Sequence, residues 1–324
     1  MALDHYIPQV HLRNFYSPTL GNLMYAIRKS DLKSFTPDAR SVCRIEDGST
    51  NSYLREDRAI EEFLKGIEPK YNAAVANLRA GSFDRQPLYV IAGFTAYVFT
   101  CSPGGMRVFS RPLKVACEDA FRILDSANRL PSVPPELGGE GLTALMDSGE
   151  AFVAVDPKYS QAVSIASILE NTIAFANSRW DILRNPFDRS PFFTSDFPVA
   201  IERTGDARVL NKILPLAPDL AVRICPDLSQ GRKRDDFSFS QFRGAVRKLR
   251  RSEVVGINRL IVRCAETTVF FRDDHEWVPG FVKKNAGFRV EPRTRRAPHG
   301  KGLLHSFSFE VAEAPGSPPG TDFA

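Results

Sequence analysis

His5, Gln9 and Arg13 recur every four residues in the opening stretch DHYIPQVHLRNF, residues 4–15. An imidazole that titrates near neutral pH, an amide and an always-charged guanidinium can between them move a proton and hold an anionic oxygen. Gln9 and Arg13 are neighbours on one helix face, and His5 lies just before the helix, where the chain can bring it toward Gln9. Pro8, Leu12 and Phe15 form the adjoining apolar face. Pro8 suits the first turn of a helix, because its missing N–H would be an orphan there. A structural reading competes with the chemical one: the three polar heads can satisfy buried backbone carbonyls, and a lone histidine is more often structural than catalytic.

Asp196, in TSDFPVAIE (194–202), is the second candidate. At a junction of two short strands its carboxylate can act as a base or a metal ligand, or it can accept backbone N–H groups as an Asx-turn residue. The positive charge comes in clusters. GRKR (231–234) holds Arg232, Lys233 and Arg234. RKLRR (247–251) holds Arg247, Lys248, Arg250 and Arg251, and RTRR covers 293–296. Such runs neutralise phosphates and release counterions, although a solvated helix face gives the same pattern. The stretch SPGGMRVFSR (102–111) has glycines and arginines that could hold an anion, and otherwise reads as a connection between helices.

Several nuclease and cofactor patterns fail. Asp4 and His5 before a proline resemble the start of an HNH motif, but no second metal-ligand residue follows, and 8–15 is helical in pattern. Asp196 and Glu202 are in place for a PD-(D/E)xK centre, yet ERT stands where Glu-x-Lys is required. G-x-G-x-x-G, Walker A, G-x-S-x-G and H-E-x-x-H patterns are all missing from the sequence.

These residues must be positioned by a chain of 324 residues, 43% hydrophobic and 25% charged, with a net charge of +5. That is an ordinary globular composition. The most apolar run, 87–101, falls short of the roughly 20 residues a membrane span needs. The N-terminus lacks an apolar signal region, and the five cysteines include no C-x-x-C pair, so reduced thiols in a cytoplasmic protein are expected. Residues 22–29 and 41–47 read as strands. Helices are expected over 55–81 with a break at Pro69, over 86–100 and over 111–130, followed by a loop at 131–141. Ala162, Ile165, Leu169, Ile173, Ala176 and Trp180 form one stripe, which predicts a helix over 159–180 with Trp180 packed near Phe193. Short strands then run from 181 to 225, helices cover 238–251 and 254–266, and strands cover 267–272 and 303–312. The expected fold is α+β: a central helical core (about 55–180) between N-terminal strands and a C-terminal antiparallel β region (181–312). The whole forms one integrated unit over 1–312, with a disordered tail at 313–324.

HYIPQVHLRNF resembles the N-terminal signature of a bacterial family of unknown function, His-Tyr-x-Pro-Gln followed by Leu-Arg-x-Phe. The same family order continues with a helix ending in Trp (Trp180), Thr-Ser-Asp-x-Pro (194–198), Pro-Leu-x-Pro (215–218) and a late helix beginning with Asn (Asn258). The resemblance covers about 4–272. Phe197 stands where the family commonly has Asn, and the Arg- and Pro-rich region after 290 has no counterpart. The resemblance implies one integrated fold and no defined activity. From the residues themselves, His5, Gln9, Arg13 and Asp196 are expected to converge as a phosphodiesterase or nuclease centre, with a divalent metal as one option. The basic clusters would bind nucleic acid. The alternative is a non-catalytic module that binds nucleic acid or an acidic protein.

Overall fold

The chain, as a computed structural model, is described over residues 3–131, 133–134, 136, 141–206, 209–227, 236–300 and 302–314. It opens with strand β1 (Leu3–His5), the helical turn α1 (Gln9–Leu12) and a 3-10 turn over Arg13–Phe15. Pro8 is extended, with ψ 133°, and therefore caps α1 from outside instead of beginning it. Strands β2 (Tyr25–Arg28), β3 (Ser34–Phe35) and β4 (Arg44–Glu46) follow, with β4 antiparallel to β1.

The helical region breaks where the residue chemistry requires. Helix α2 (Ala59–Lys65) stops before a 3-10 turn at Glu68–Lys70 that contains Pro69, and α3 (Tyr71–Ala80) ends at Gly81, which is left-handed at φ 84°. Helix α4 (Arg85–Cys101) is buried on nearly every side, as an all-round apolar helix must be. Helix α5 (Pro103–Ser126) starts eight residues earlier than its pattern suggested: Ser102 Oγ accepts the Gly105 N–H at 3.2 Å and caps the helix, so SPGG is its first turn and not a connection. Helices α6 (Leu142–Ser148), α7 (Pro157–Ala166) and α8 (Ile168–Ala176) complete the group.

The predicted helix 159–180 is thus two helices and the start of a strand. Ser167 separates α7 from α8, and Trp180 lies on β5 (Arg179–Arg184). The apolar stripe continues through all three because they line the same core. Trp180 is fully buried, donates its indole N–H to Phe175 O at 2.7 Å, and meets Phe242 at 5.8 Å. Phe193, its expected neighbour, stacks on Trp277 instead.

The remaining elements are β6 (Thr194–Ser195), β7 (Ala200–Arg203), β8 (Leu210–Ala217), β9 (Leu220–Cys225), β10 (Arg243–Lys248), α9 (Arg251–Cys264), β11 (Thr268–Phe271), α10 (Trp277–Asn285), β12 (Phe288–His299) and β13 (Gly302–Glu313). The helix expected over 238–251 is a second correction. Its centre is β10, paired parallel to β5 at the edge of the sheet β10-β5-β9-β8-β7. Tertiary pairing overrides the helical pattern here. Gly244 permits it, since a Cβ there would come within 2.8 Å of the Phe83 ring. A second sheet, β3-β2-β11-β6, joins the N-terminal strands to the chain beyond α9, and β12–β13 is a long hairpin. The architecture is α+β. Arg232, Lys233 and Arg234, most of the loop 131–141 and residues 315–324 lie outside the described residues.

Candidate functional site

Strand β6 is the hub around which the motif residues gather. His11, which is not among the expected site residues, is fully buried and spans two hydroxyls, Nδ1 to Tyr71 Oη and Nε2 to Thr194 Oγ1, each at 2.8 Å. Asn258 of α9 accepts the Phe193 N–H at 3.0 Å and donates to Pro191 O at 2.8 Å. Asn14 donates to Leu216 O at 3.1 Å and so ties the opening segment to LPLAP. Leu12 and Phe15 are fully buried beneath them, and Pro8 is buried too. The motifs, distant in sequence, are one lock in space.

Asp196 belongs to that lock. Its carboxylate accepts the N–H groups of Glu266 at 2.9 Å, Thr267 at 2.8 Å and Thr268 at 3.2 Å, and the Thr267 hydroxyl at 2.5 Å. Burial raises its pKa, while Thr267 and Thr268 and the Lys29 cation pull the other way. Lys29 grips the same turn from the carbonyl side, Nζ donating to Ala265 O at 2.5 Å and to Phe288 O at 2.6 Å. Burial lowers the Lys29 pKa to about 8. The turn so fixed presents Glu266 to a fork from Arg107 at 2.7 and 2.9 Å. A Cβ on Gly104 would stand 3.2 Å from Glu266 Oε2, so the carboxylate sits against the first turn of α5. The anion that SPGGMR could hold is therefore one of the chain's own, which complements the helix dipole.

His5, Gln9 and Arg13 form the ladder their spacing predicts. The Arg13 guanidinium donates to Gln9 Oε1 at 2.8 Å, and Gln9 Nε2 stands 3.5 Å from His5 Nδ1. His5 Nε2 is 3.3 Å from Arg40 O, which can only accept; Nε2 therefore carries the proton and Nδ1 the lone pair. Burial lowers the His5 pKa, Arg44 adds to that, and the Arg40 carbonyl opposes it. The Tyr97 hydroxyl fixes the main chain by donating to His5 O at 3.1 Å. Glu68, half-buried on its 3-10 turn, has its pKa raised by desolvation and is close enough to act on Tyr97. Neither a hydrogen bond nor an ion pair links Asp196 to this ladder among the described residues: the four expected site residues divide into a surface trio and a buried clamp.

Arg243, Arg247 and Lys248 of β10 and Arg250 and Arg251 at the start of α9 are exposed. Arg247 pairs with Glu253 at 3.3 Å and Asp181 at 3.6 Å, and Arg250 with Glu253 at 3.4 Å. Arg243, Lys248 and Arg251 are without ion pairs among the described residues. No group of three or more His, Cys, Asp or Glu among those residues is arranged to hold a metal ion. No described helix is long and apolar enough to cross a membrane.

A buried lock of motif residues carrying a partly exposed His-Gln-Arg ladder defines an α+β protein with its candidate site on an N-terminal helical turn. The chain belongs to the family described as Protein of unknown function (DUF4238), whose model matches residues 4–275. No curated protein and no solved structure matches it. The β12–β13 hairpin lies beyond the matched span. It is fastened by Glu291 to Arg107 at 3.3 Å, by Arg296 and His305 to Asp119 at 2.6 and 2.7 Å, and by Glu310 to Arg203 at 3.0 Å.

Proposed function

We propose that the chain is a cytoplasmic enzyme acting on nucleic acid, a phosphodiesterase whose working surface is the His5–Gln9–Arg13 ladder. The observation that carries the reading is the ladder itself, a bonded row on a turn whose other side is pinned in the core. Its lowered pKa keeps His5 neutral at pH 7, with the Nδ1 lone pair held only loosely by Gln9. That imidazole takes the proton from the attacking hydroxyl, of a ribose or of water. Arg13, aimed by Gln9, holds a phosphoryl oxygen, and Arg44, whose charge acts on His5, adds positive charge. Solvent water supplies the proton to the leaving oxygen.

The test is cleavage of labelled RNA and DNA by the full chain, with Mg²⁺, with Mn²⁺ and with chelator. Cleavage by the wild type is expected, and His5→Ala and Arg13→Ala should each lose about 100-fold or more with the melting temperature nearly intact. Unfolding of both variants would make the ladder structural. One observation favours the second reading, a non-catalytic polyanion-binding module: the exposed Arg243, Lys248 and Arg251 on β10 and α9. Tight binding with no cleavage under any condition selects it.

A further inference from the structure

Leu113, Ala116, Cys117 and Ala120 lie at helical spacing along one face of α5, and all but the leucine are small. Facing them are Tyr53 and Tyr159, whose rings meet at 82° with centroids 5.5 Å apart. Small side chains opposite the two rings leave space, and a cleft of about 520 Å³, open to solvent along the exposed Tyr53, Asp156 and Tyr159, lies between them. Small-molecule sites commonly occupy ~300–1,000 Å³. The lining carries a single charged side chain, Asp156. Its Oδ1 accepts the Lys158 N–H at 2.8 Å and caps α7, while its Oδ2 accepts the Tyr53 hydroxyl at 2.9 Å. The nearby cations are engaged elsewhere. Lys158 Nζ donates to the carbonyls of Asp47 and Thr50 at 2.5 and 2.9 Å, and Lys114 pairs with Glu118 at 3.7 Å. Asp156 makes no direct ion pair among the described residues; the Lys158 cation, which it acts on from a distance, is turned to the two carbonyls, so the carboxylate borders the cleft with no cation bonded to it.

An apolar wall, two tyrosine rings at right angles and an unpaired carboxylate together match one ligand chemistry. A soft, weakly hydrated cation gains from the ring quadrupoles and from the carboxylate, and its apolar body gains from the wall. We propose that the cavity between α5 and the Tyr53–Tyr159 corner binds a small organic cation, an alkylammonium. Its aliphatic part lies along Leu113, Ala116 and Ala120, and its head is held by the tyrosine pair and Asp156. An anionic ligand is repelled by Asp156, and a neutral one gives up the stabilisation of its head.

Isothermal titration of the full chain tests this with three probes: pentyltrimethylammonium, choline, and 3,3-dimethylbutan-1-ol, the neutral carbon isostere of choline. Pentyltrimethylammonium is expected to bind saturably and more tightly than choline, and the neutral isostere about tenfold more weakly than choline. Asp156→Asn keeps a side chain able to cap α7 and should weaken pentyltrimethylammonium binding about tenfold with the melting temperature unchanged. Ala120→Phe fills the cavity and should abolish binding in a chain whose circular dichroism stays native. Equal binding of choline and its isostere, persistent binding by folded Ala120→Phe, or no saturable binding at millimolar pentyltrimethylammonium would each overturn the proposal.

Discussion

His5 and His11 lie on one short segment and meet opposite surroundings. His5 is half-exposed beside Arg44, whereas His11 is sealed between Tyr71, Phe94 and Thr194. For His5 the consequence is kinetic. A base whose pKa is lowered from 6.5 keeps its lone pair into mild acid, so the acid limb of a cleavage-rate profile should bend below pH 6.5. A bend at or above 6.5 would mean that another group serves as base. For His11 the consequence is stability. Burial lowers its pKa to about 3, so the unfolded chain takes up a proton near 6.5 that the folded chain refuses until far lower pH. The unfolded state binds more protons in that window, so this contribution is complete above 6.5 and is lost as pH falls toward 3, by up to about 1.4 kcal/mol per pH unit. Urea midpoints measured from pH 7 to pH 4 should fall less steeply in His11→Gln than in the wild type, and equal slopes would place His11 outside the acid response. The two residues differ little as sequence. His11 adjoins Leu12 and lies four before Phe15, which puts it on the buried side, and that spacing was the available signal.

At the scale of elements, the turn between α9 and β11 is held by two charges that never touch it in sequence. Lys29 takes its carbonyl and Asp196 takes three of its amides. Buried N–H groups left unpaired cost about 1–3 kcal/mol each. Asp196→Ala is therefore expected to lower unfolding stability by about 3 kcal/mol or more, with Asp196→Asn intermediate. A denaturation midpoint like that of the wild type would refute the clamp. Phe15→Ala tests the other side of the lock and should cost about 3–5 kcal/mol in the same measurement. The periodicity of α4 and the stop signals at Pro69 and Gly81 were legible because they act within a few residues. The break at Ser167 and the strand at Arg243–Lys248 were not. In the first case α7, α8 and β5 share one apolar stripe, which local pattern cannot divide. In the second, pairing with β5 outweighs a helical preference worth a fraction of a kcal/mol per residue.

Over the whole molecule the charge is uneven, and Arg243, Lys248 and Arg251 gather at one sheet edge and the helix beside it. If these cations meet nucleic-acid phosphates, affinity for duplex DNA falls with salt. Removing all three should then flatten the log–log salt dependence by about 0.9 for each phosphate no longer neutralised. An unchanged slope would assign the binding to other residues. Burial of Trp180 offers a global check: in a Trp277→Phe background its emission should be blue-shifted, and a red-shifted signal would contradict the packing against Phe242. The amino-acid sequence by itself determined the α+β class, most helices and strands, membership in a family of unknown function and the His5–Gln9–Arg13 ladder. Each of these rests on periodicity, turn chemistry or spacing within a few residues. Only the tertiary structure decided that Asp196 clamps the α9–β11 turn with no hydrogen bond or ion pair to that ladder among the described residues, that His11 reaches Tyr71 across 60 positions of chain and Thr194 across 183, and that Glu266 fills the anion seat of α5. Those outcomes depend on which distant backbone groups arrive beside a side chain, and a carboxylate or an imidazole is written the same way in the sequence whether water or three amides await it.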